Sequence, residues 1–297
     1  MTIYNLGSIN ADWFYKVPRF PVEGETLAAT DCKSGLGGKG ANQSVAAARG
    51  GAEVCHIGGV GGESVWAVEL MKSAGVDTTH VAINLAAPTG HALIFVEPGG
   101  ENQIVIFAGT NRMLENGDIK AALARARSGD ILMMQNETNG QEYAAKRARD
   151  RGLKVVYSAA PFDVDAVRRV LPLVDLLVLN QVEAEQVAEA LGCEITNLPV
   201  PQLLVTHGAH GATWHDLDSG ETLTVPAPKV VPVDTTGAGD TFIGYFCAGL
   251  DLGLPVAECL EMAVGAAALK VTREGTAEAI PAREEVHGFL ADLKPLA

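Results

Sequence analysis

Residues 131–192 read ILMMQNETNGQEYAAKRARDRGLKVVYSAAPFDVDAVRRVLPLVDLLVLNQVEAEQVAEALG. Three short apolar runs (131–134, 155–157 and 176–179) alternate there with longer stretches at helical spacing (141–151 and 182–191). A strand apolar on both faces must be covered on both, as in a parallel sheet. The helical stretches stop at Gly152 and Gly192, residues suited to a left-handed helix end. The same rhythm continues outward. Runs 3–6, 54–57 and 203–206 predict further strands, and 39–49 and 65–73 predict helices. Alternation of this kind implies an α/β fold, a three-layer, doubly wound, mostly parallel sheet.

Two segments break the rhythm. Residues 11–34 and 88–108 hold alternating, turn-punctuated stretches, with Pro98-Gly99-Gly100 marking a turn inside HALIFVEPGGENQIVIF. They predict hairpins of a small β-sheet lid over the carboxyl edge of the main sheet. With no repeat or linker, the chain reads as a single domain over 1–297 carrying that lid.

Composition narrows the function. The 297 residues are 47% hydrophobic and 20% charged, enough apolar content for a substantial core. No apolar run reaches the ~20 residues of a membrane span, and the N-terminus lacks the features of a secretion signal. The five cysteines are scattered and never spaced C-x-x-C, as expected of reduced thiols in a cytoplasmic protein. A formal charge of −14 speaks against nucleic acid and anionic membranes as partners. A phosphate-bearing ligand would have to be held by local devices: helix N-termini, a few placed cations and a metal ion.

One stretch has such a device. In DTTGAGDTF (234–242) a β-like run at 229–233 precedes the glycines, and an amphipathic helix with Phe242, Phe246 and Leu250 on one face follows. Gly237, Ala238 and Gly239 therefore sit at a helix N-terminus, where bare N–H groups attract phosphate. Asp240 in the first turn would repel that anion unless it receives a proton from an attacking hydroxyl, the pairing phosphoryl transfer needs. Asp240 is thus the candidate base; the bland alternative is a carboxylate that stabilises a helix start.

Residues 35–43, GLGGKGANQ, formally match the dinucleotide fingerprint G-x-G-x-x-G. That fold needs an apolar strand before the glycines, and 28–34 (AATDCKS) is a poor one. A Walker loop fails as well, with Lys33 in place of its first glycine. Close backbone approach to a polyol suits the stretch better, with Lys39 adding charge near a transferring phosphoryl. Asn180 and Glu183 have capping-box spacing, and equally could order phosphate and Mg²⁺ through water. His207, His210 and His215 cluster without a zinc-type spacing and read as solvated loop residues.

Together these strings resemble the ribokinase, or PfkB, family of carbohydrate kinases nearly end to end. GSINAD (7–12), GGKGANQ (37–43), MQNE (134–137), NQVEAE (180–185), THGAHG (206–211), DTTGAGDTF (234–242) and VTREG (271–275) stand in family order. The resemblance implies Asp240 as catalytic base and an anion hole from Gly237, Ala238 and Gly239. It implies sugar contacts from Asn10, Asp12, Gly38, Lys39, Asn42 and Glu137. ATP would lie against Asn180, Thr206, Gly208 and Gly211, beside Gly239, with Glu183 placing Mg²⁺. An activating monovalent cation (K⁺) would take Asp234, Thr236, Lys270, Arg273, Gly275 and Ala279, several through backbone carbonyls. A homodimer clasped through the lid, and D-ribose as first substrate ahead of other sugars and nucleosides, are further implications. A silent sugar- or nucleotide-binding relative and a dehydrogenase are the rival readings.

The chain departs from the family in four places. VGGESVWAVEL (60–70) lacks an acidic pair, the stretch from Gly192 to Leu203 is too short for a helix usual there, Val264 stands where some members carry a polar residue stacked on adenine, and Ala279 replaces a hydroxyl residue.

Overall fold

Strands whose side chains are apolar on both faces need helices on both sides, and the chain supplies them. The computed structural model describes residues 1–293; the end of the domain expected over 1–297 lies outside the described residues. Its strands are β1 (Thr2–Leu6), β2 (Asn10–Lys16), β3 (Asp31–Gly37), β4 (Glu53–Gly61), β5 (Val76–Asn84), β6 (His91–Val96), β7 (Asn102–Phe107), β8 (Ile131–Met134), β9 (Lys154–Ser158), β10 (Leu176–Asn180), β11 (Gln202–Thr206), β12 (Ala212–Asp216) and β13 (Thr222–Val225). The helices are α1 (Lys39–Arg49), α2 (Val65–Ser73), α3 (Asn116–Ala122), α4 (Gln141–Asp150), α5 (Val164–Val170), α6 (Gln181–Leu191), α7 (Ala238–Asp251), α8 (Val256–Lys270) and α9 (Arg283–Leu293).

Among the described residues the main sheet has nine strands in the order β13-β12-β11-β10-β9-β8-β1-β4-β5. Pairing is parallel from β11 through β5 and antiparallel only at β11–β12 and β12–β13. Leu176 and Val178 of β10 enter a core with α1, α2, α7 and α8, while Leu177 and Leu179 enter one with α3, α4, α5 and α6. That alternation makes the three layers. Each fully buried Leu or Ile contributes about 2 kcal/mol. A second, four-stranded sheet, ordered β3-β2-β6-β7, is built from two antiparallel hairpins joined by a parallel β2–β6 pair. No helix among the described residues is long and apolar enough to cross a membrane.

The expected elements appear with two differences. Residues 229–233 form no strand: Val231 and Val233 are exposed, and the segment is tied to the end of α8 by the N–H groups of Val233 and Asp234 on Val271 O (2.7 and 3.1 Å). An apolar β-branched run without a neighbour to pair with gains nothing by extending a sheet. The short stretch after Gly192 costs no strand either. α6 alone makes the crossover, and β11 pairs with β10 from Leu176↔Gln202 to Asn180↔Thr206.

Gly211, between β11 and β12, has φ 104°, and a Cβ there would lie 2.0 Å from Val225 O. Gly220 also has positive φ but open space around it. Gly211→Ala should lower unfolding stability by about 3 kcal/mol and Gly220→Ala by about 1 kcal/mol in denaturant titrations. Equal losses would refute the packing explanation.

Candidate active site

The site begins where the small sheet meets α1. β3 ends in Gly35-Leu36-Gly37, paired with β2 so that Asn10 faces Gly37 and Asp12 faces Gly35. β3 belongs to the small sheet and not to the parallel one, so the glycines do not follow a dinucleotide-type strand. Gly38 then caps α1 with φ 90°, and a Cβ on it would stand 2.9 Å from Ser8 O. Only glycine lets the chain pass so close to β1's exit. The turn brings the Lys39 N–H to Glu137 Oε2 at 2.9 Å, and the Ser8 hydroxyl reaches the same oxygen.

Asp12 and Asn10 are both buried. Asp12 Oδ1 accepts from Ala92 N at 2.8 Å, and Asn10 Oδ1 accepts from Asn111 Nδ2 at 2.8 Å. Burial pushes the Asp12 carboxyl up to about 6, with the Glu137 charge adding to it and the Ala92 hydrogen bond opposing. Lys39 sits between these acids and Asp240. The Asp240 carboxylate, ahead of Glu137 and Glu183, raises its ammonium above the ordinary value against the pull of burial.

On the opposite side, α7 begins at Ala238 with Gly237 as a left-handed N-cap (φ 71°). Ala238 N–H closes a turn onto Thr235 O at 3.2 Å. The N–H groups of Gly237, Gly239 and Asp240 have no backbone or side-chain acceptor among the described residues. Gly237 and Gly239 are thus the open donors of the expected anion hole, and Ala238 N–H is occupied. Asp240, 9% exposed, accepts from Asn42 Nδ2 (3.2 Å) and Gln43 Nε2 (3.0 Å). Both amides lie near the start of α1.

A cavity of about 230 Å³ lies between Lys39 and the start of α7, lined among others by Lys39, Asn180, Glu183, Thr206, Gly237 and Asp240; Asn10, Asp12, Gly38, Asn42 and Glu137 do not line it. A hollow of about 580 Å³ lies by Thr2, Glu53, Asp77 and Arg125, away from every candidate residue. Size alone is a poor guide here. Asn180 and Glu183 do form a full capping box, each side chain bonded to the other's backbone N–H at 2.8 and 2.9 Å, while facing the cavity. Gly208 and Gly211 do not line it.

The loop from Asp234 leads into this cavity through Thr235, which lines it. Asp234 accepts from Thr236 N (2.9 Å) and Gly275 N (3.0 Å), and the Lys270 ammonium donates to Asp234 O at 3.1 Å. Arg273 pairs with Glu285 at 2.7 Å, and Ala279 is a buried methyl. Among the described residues no cluster of His, Cys, Asp and Glu could hold a metal ion, His207, His210 and His215 included.

Sequence reasoning did not single out what lies behind Asp240. Gln43 Oε1 accepts from Gln135 Nε2 (2.7 Å), which also donates to Asn5 Oδ1 (2.9 Å). Asn5 Nδ2 donates to Ser44 Oγ, and Ser44 lies 2.8 Å from His56 Nδ1. His56 Nε2 contacts Gly7 O at 3.1 Å, and full burial holds the imidazole down to about 4, hence neutral. Its Nε2–H donates to Gly7 and its Nδ1 accepts from Ser44. Only the GANQ string hinted at this chain of amides, since its members come from β1, α1, β4 and the exit of β8.

This geometry has known counterparts. A family model described as pfkB family carbohydrate kinase matches residues 2–283, and the chain belongs to that family. Ribokinase from Haemophilus influenzae is 36% identical over 305 residues, covering 97% of this chain and 98% of that protein. Deoxyribokinase from Salmonella typhi is 31% identical, covering 98% and 99%. The structure of Arabidopsis thaliana ribokinase complexed with ribose and ATP superposes with a TM-score of 0.85 at 28% identity, covering 97% and 98%.

Gln43→Leu should leave folding intact and cut kcat by roughly 10- to 100-fold, because Asp240 loses one of two positioning donors. Unchanged kcat would refute the role of Gln43. Asp12 gives a pH test. If its ionised form accepts a sugar hydroxyl, as the resemblance implies, binding below pH about 6 must first expel a proton. KM for the sugar should rise as pH falls through that value and level off above it. A flat profile would contradict the assignment.

Proposed function

We propose that this chain transfers the γ-phosphoryl group of ATP to the primary hydroxyl of a small sugar, with D-ribose as first substrate and ribose 5-phosphate as product. The observation that carries the reading is Asp240: a carboxylate held by two amides in the first turn of a helix whose leading N–H groups are open, at a cavity shared with Lys39. Asn42 Oδ1 adds support as a buried acceptor without a partner, which a sugar hydroxyl would satisfy. The ribose and ATP in the Arabidopsis thaliana ribokinase complex point to the same pair of substrates.

The hydroxyl oxygen attacks the γ-phosphorus in line while its proton passes to the Asp240 carboxylate. The bond to the bridging oxygen breaks and ADP leaves. Charge on the transferring group is taken up by the N–H groups of Gly237 and Gly239 and by Lys39. Glu183 fits a water-mediated Mg²⁺, since only its Oε2 is engaged by Asn180 N. That ion, when bound, supplies positive charge to the phosphates. A monovalent cation is left out of this scheme, because the loop assigned to it already holds a buried ammonium.

The small sheet acts as the lid, rooted at Asn10 and Asp12. Its strand β7 exposes Ile104, Val105, Ile106 and Phe107, an apolar edge suited to a homodimer clasp. Five free cysteines favour a reducing, cytoplasmic setting. Deoxyribose is the second reading, favoured by the Salmonella typhi relative.

A coupled ADP-release assay over ribose, deoxyribose, ketohexoses and nucleosides should give the highest kcat/KM with ribose. Preference for deoxyribose would move the assignment, and silence across the panel would overturn it. Asp240→Asn should lower kcat by about 10³-fold or more while ATP still binds. Near-normal turnover would refute the base.

A further inference from the structure

We infer that Lys270 stands in for a monovalent cation: its buried ammonium is the fixed positive charge that orders the loop running from Asp234 into the anion hole. The proposed phosphoryl transfer therefore needs no K⁺. The inference rests on the kinase reading above and adds to it how this chain departs from the family expectation.

Groups of the chain itself already engage the loop. Lys270, the last residue of α8, has no exposed surface, and its Nζ donates to Asp234 O at 3.1 Å. Both carboxylate oxygens of Asp234 are taken by backbone N–H groups, those of Thr236 and Gly275. The resemblance calls for a hydroxyl at position 279, but Ala279 offers only a buried methyl. Arg49 Nη1 reaches the carbonyls of Ala277, Glu278 and Ile280, so a second cation of the chain occupies that side. A free cation would meet an ammonium where it needs oxygen ligands. Burial lowers the Lys270 amine while Asp234 and Glu278 favour its charged form. An ammonium and K⁺ are similar in charge and in the oxygens they seek, so one can replace the other. The tether makes the replacement permanent.

Exchange of KCl for tetramethylammonium chloride at equal ionic strength tests the inference on the intact protein. Sugar phosphorylation should change by less than about twofold, whereas K⁺ stimulation of about tenfold or more would overturn it. The unfolding midpoint without substrates should be the same in the two salts, and a K⁺-specific rise would overturn the inference whatever the sugar panel finds. Silence of the sugar panel with equal midpoints would reject the kinase reading alone. The double variant Lys270→Ala, Ala279→Ser should gain a requirement for K⁺. A folded double variant whose activity ignores K⁺, whether high or absent, contradicts the proposal; if it does not fold, the two wild-type measurements decide.

Discussion

Two helices packed in parallel at unusually short distance set the geometry of this protein. A Cβ at Gly244 of α7 would fall 2.4 Å from Ala46 Cβ and 2.6 Å from Gln43 O of α1, and one at Gly50 would fall 2.7 Å from Ala248 Cβ. Small residues at four-residue intervals therefore let the backbones approach. The close approach puts the first turns of both helices at one edge of the sheet. Asn42 and Gln43 reach Asp240 because of it. A larger residue at Gly244 would push the helices apart and break the contact on which the proposed chemistry depends.

The second consequence is electrostatic. A chain of formal charge −14 handles a polyanion by concentrating the few favourable groups in one place. The open N–H groups at the start of α7 and the Lys39 ammonium lie at the cavity, while Asp240, Glu137 and Asp12 are held by backbone and amide donors. The neutral chain from Gln43 through Gln135, Asn5 and Ser44 to His56 fixes orientation without adding charge. Buried amides of this kind are costly unless satisfied, and here each link is bonded to the next, with Gln135 Oε1 left without a partner among the described residues.

Much of the fold was legible because its signals are local. Apolar runs such as Ile131–Met134 and helices such as Lys39–Arg49 and Val65–Ser73 follow from periodicity alone, and both appear at the bounds read from the sequence. β5 was harder, since VDTTHVAIN at a sheet edge mixes polar and apolar residues. The run 229–233 misled because β-branched composition says nothing about whether a partner strand exists. In the site, the GAGD turn was legible as a turn, and so was the capping box at Asn180. The occupied Ala238 N–H, the amide chain behind Asp240 and the inward course of Lys270 were not. Each depends on residues distant in sequence.

In the proposed reaction the accepting hydroxyl, Asp240 and the open amides at the start of α7 converge on one point. A crystal structure with ribose and a non-hydrolysable ATP analogue measures this directly. The sugar's primary oxygen should lie within about 2.6–3.2 Å of an Asp240 carboxylate oxygen, with the γ-phosphate over the N–H groups of Gly237 and Gly239. A sugar bound with that oxygen turned toward another group, or a γ-phosphate away from the start of α7, would contradict it.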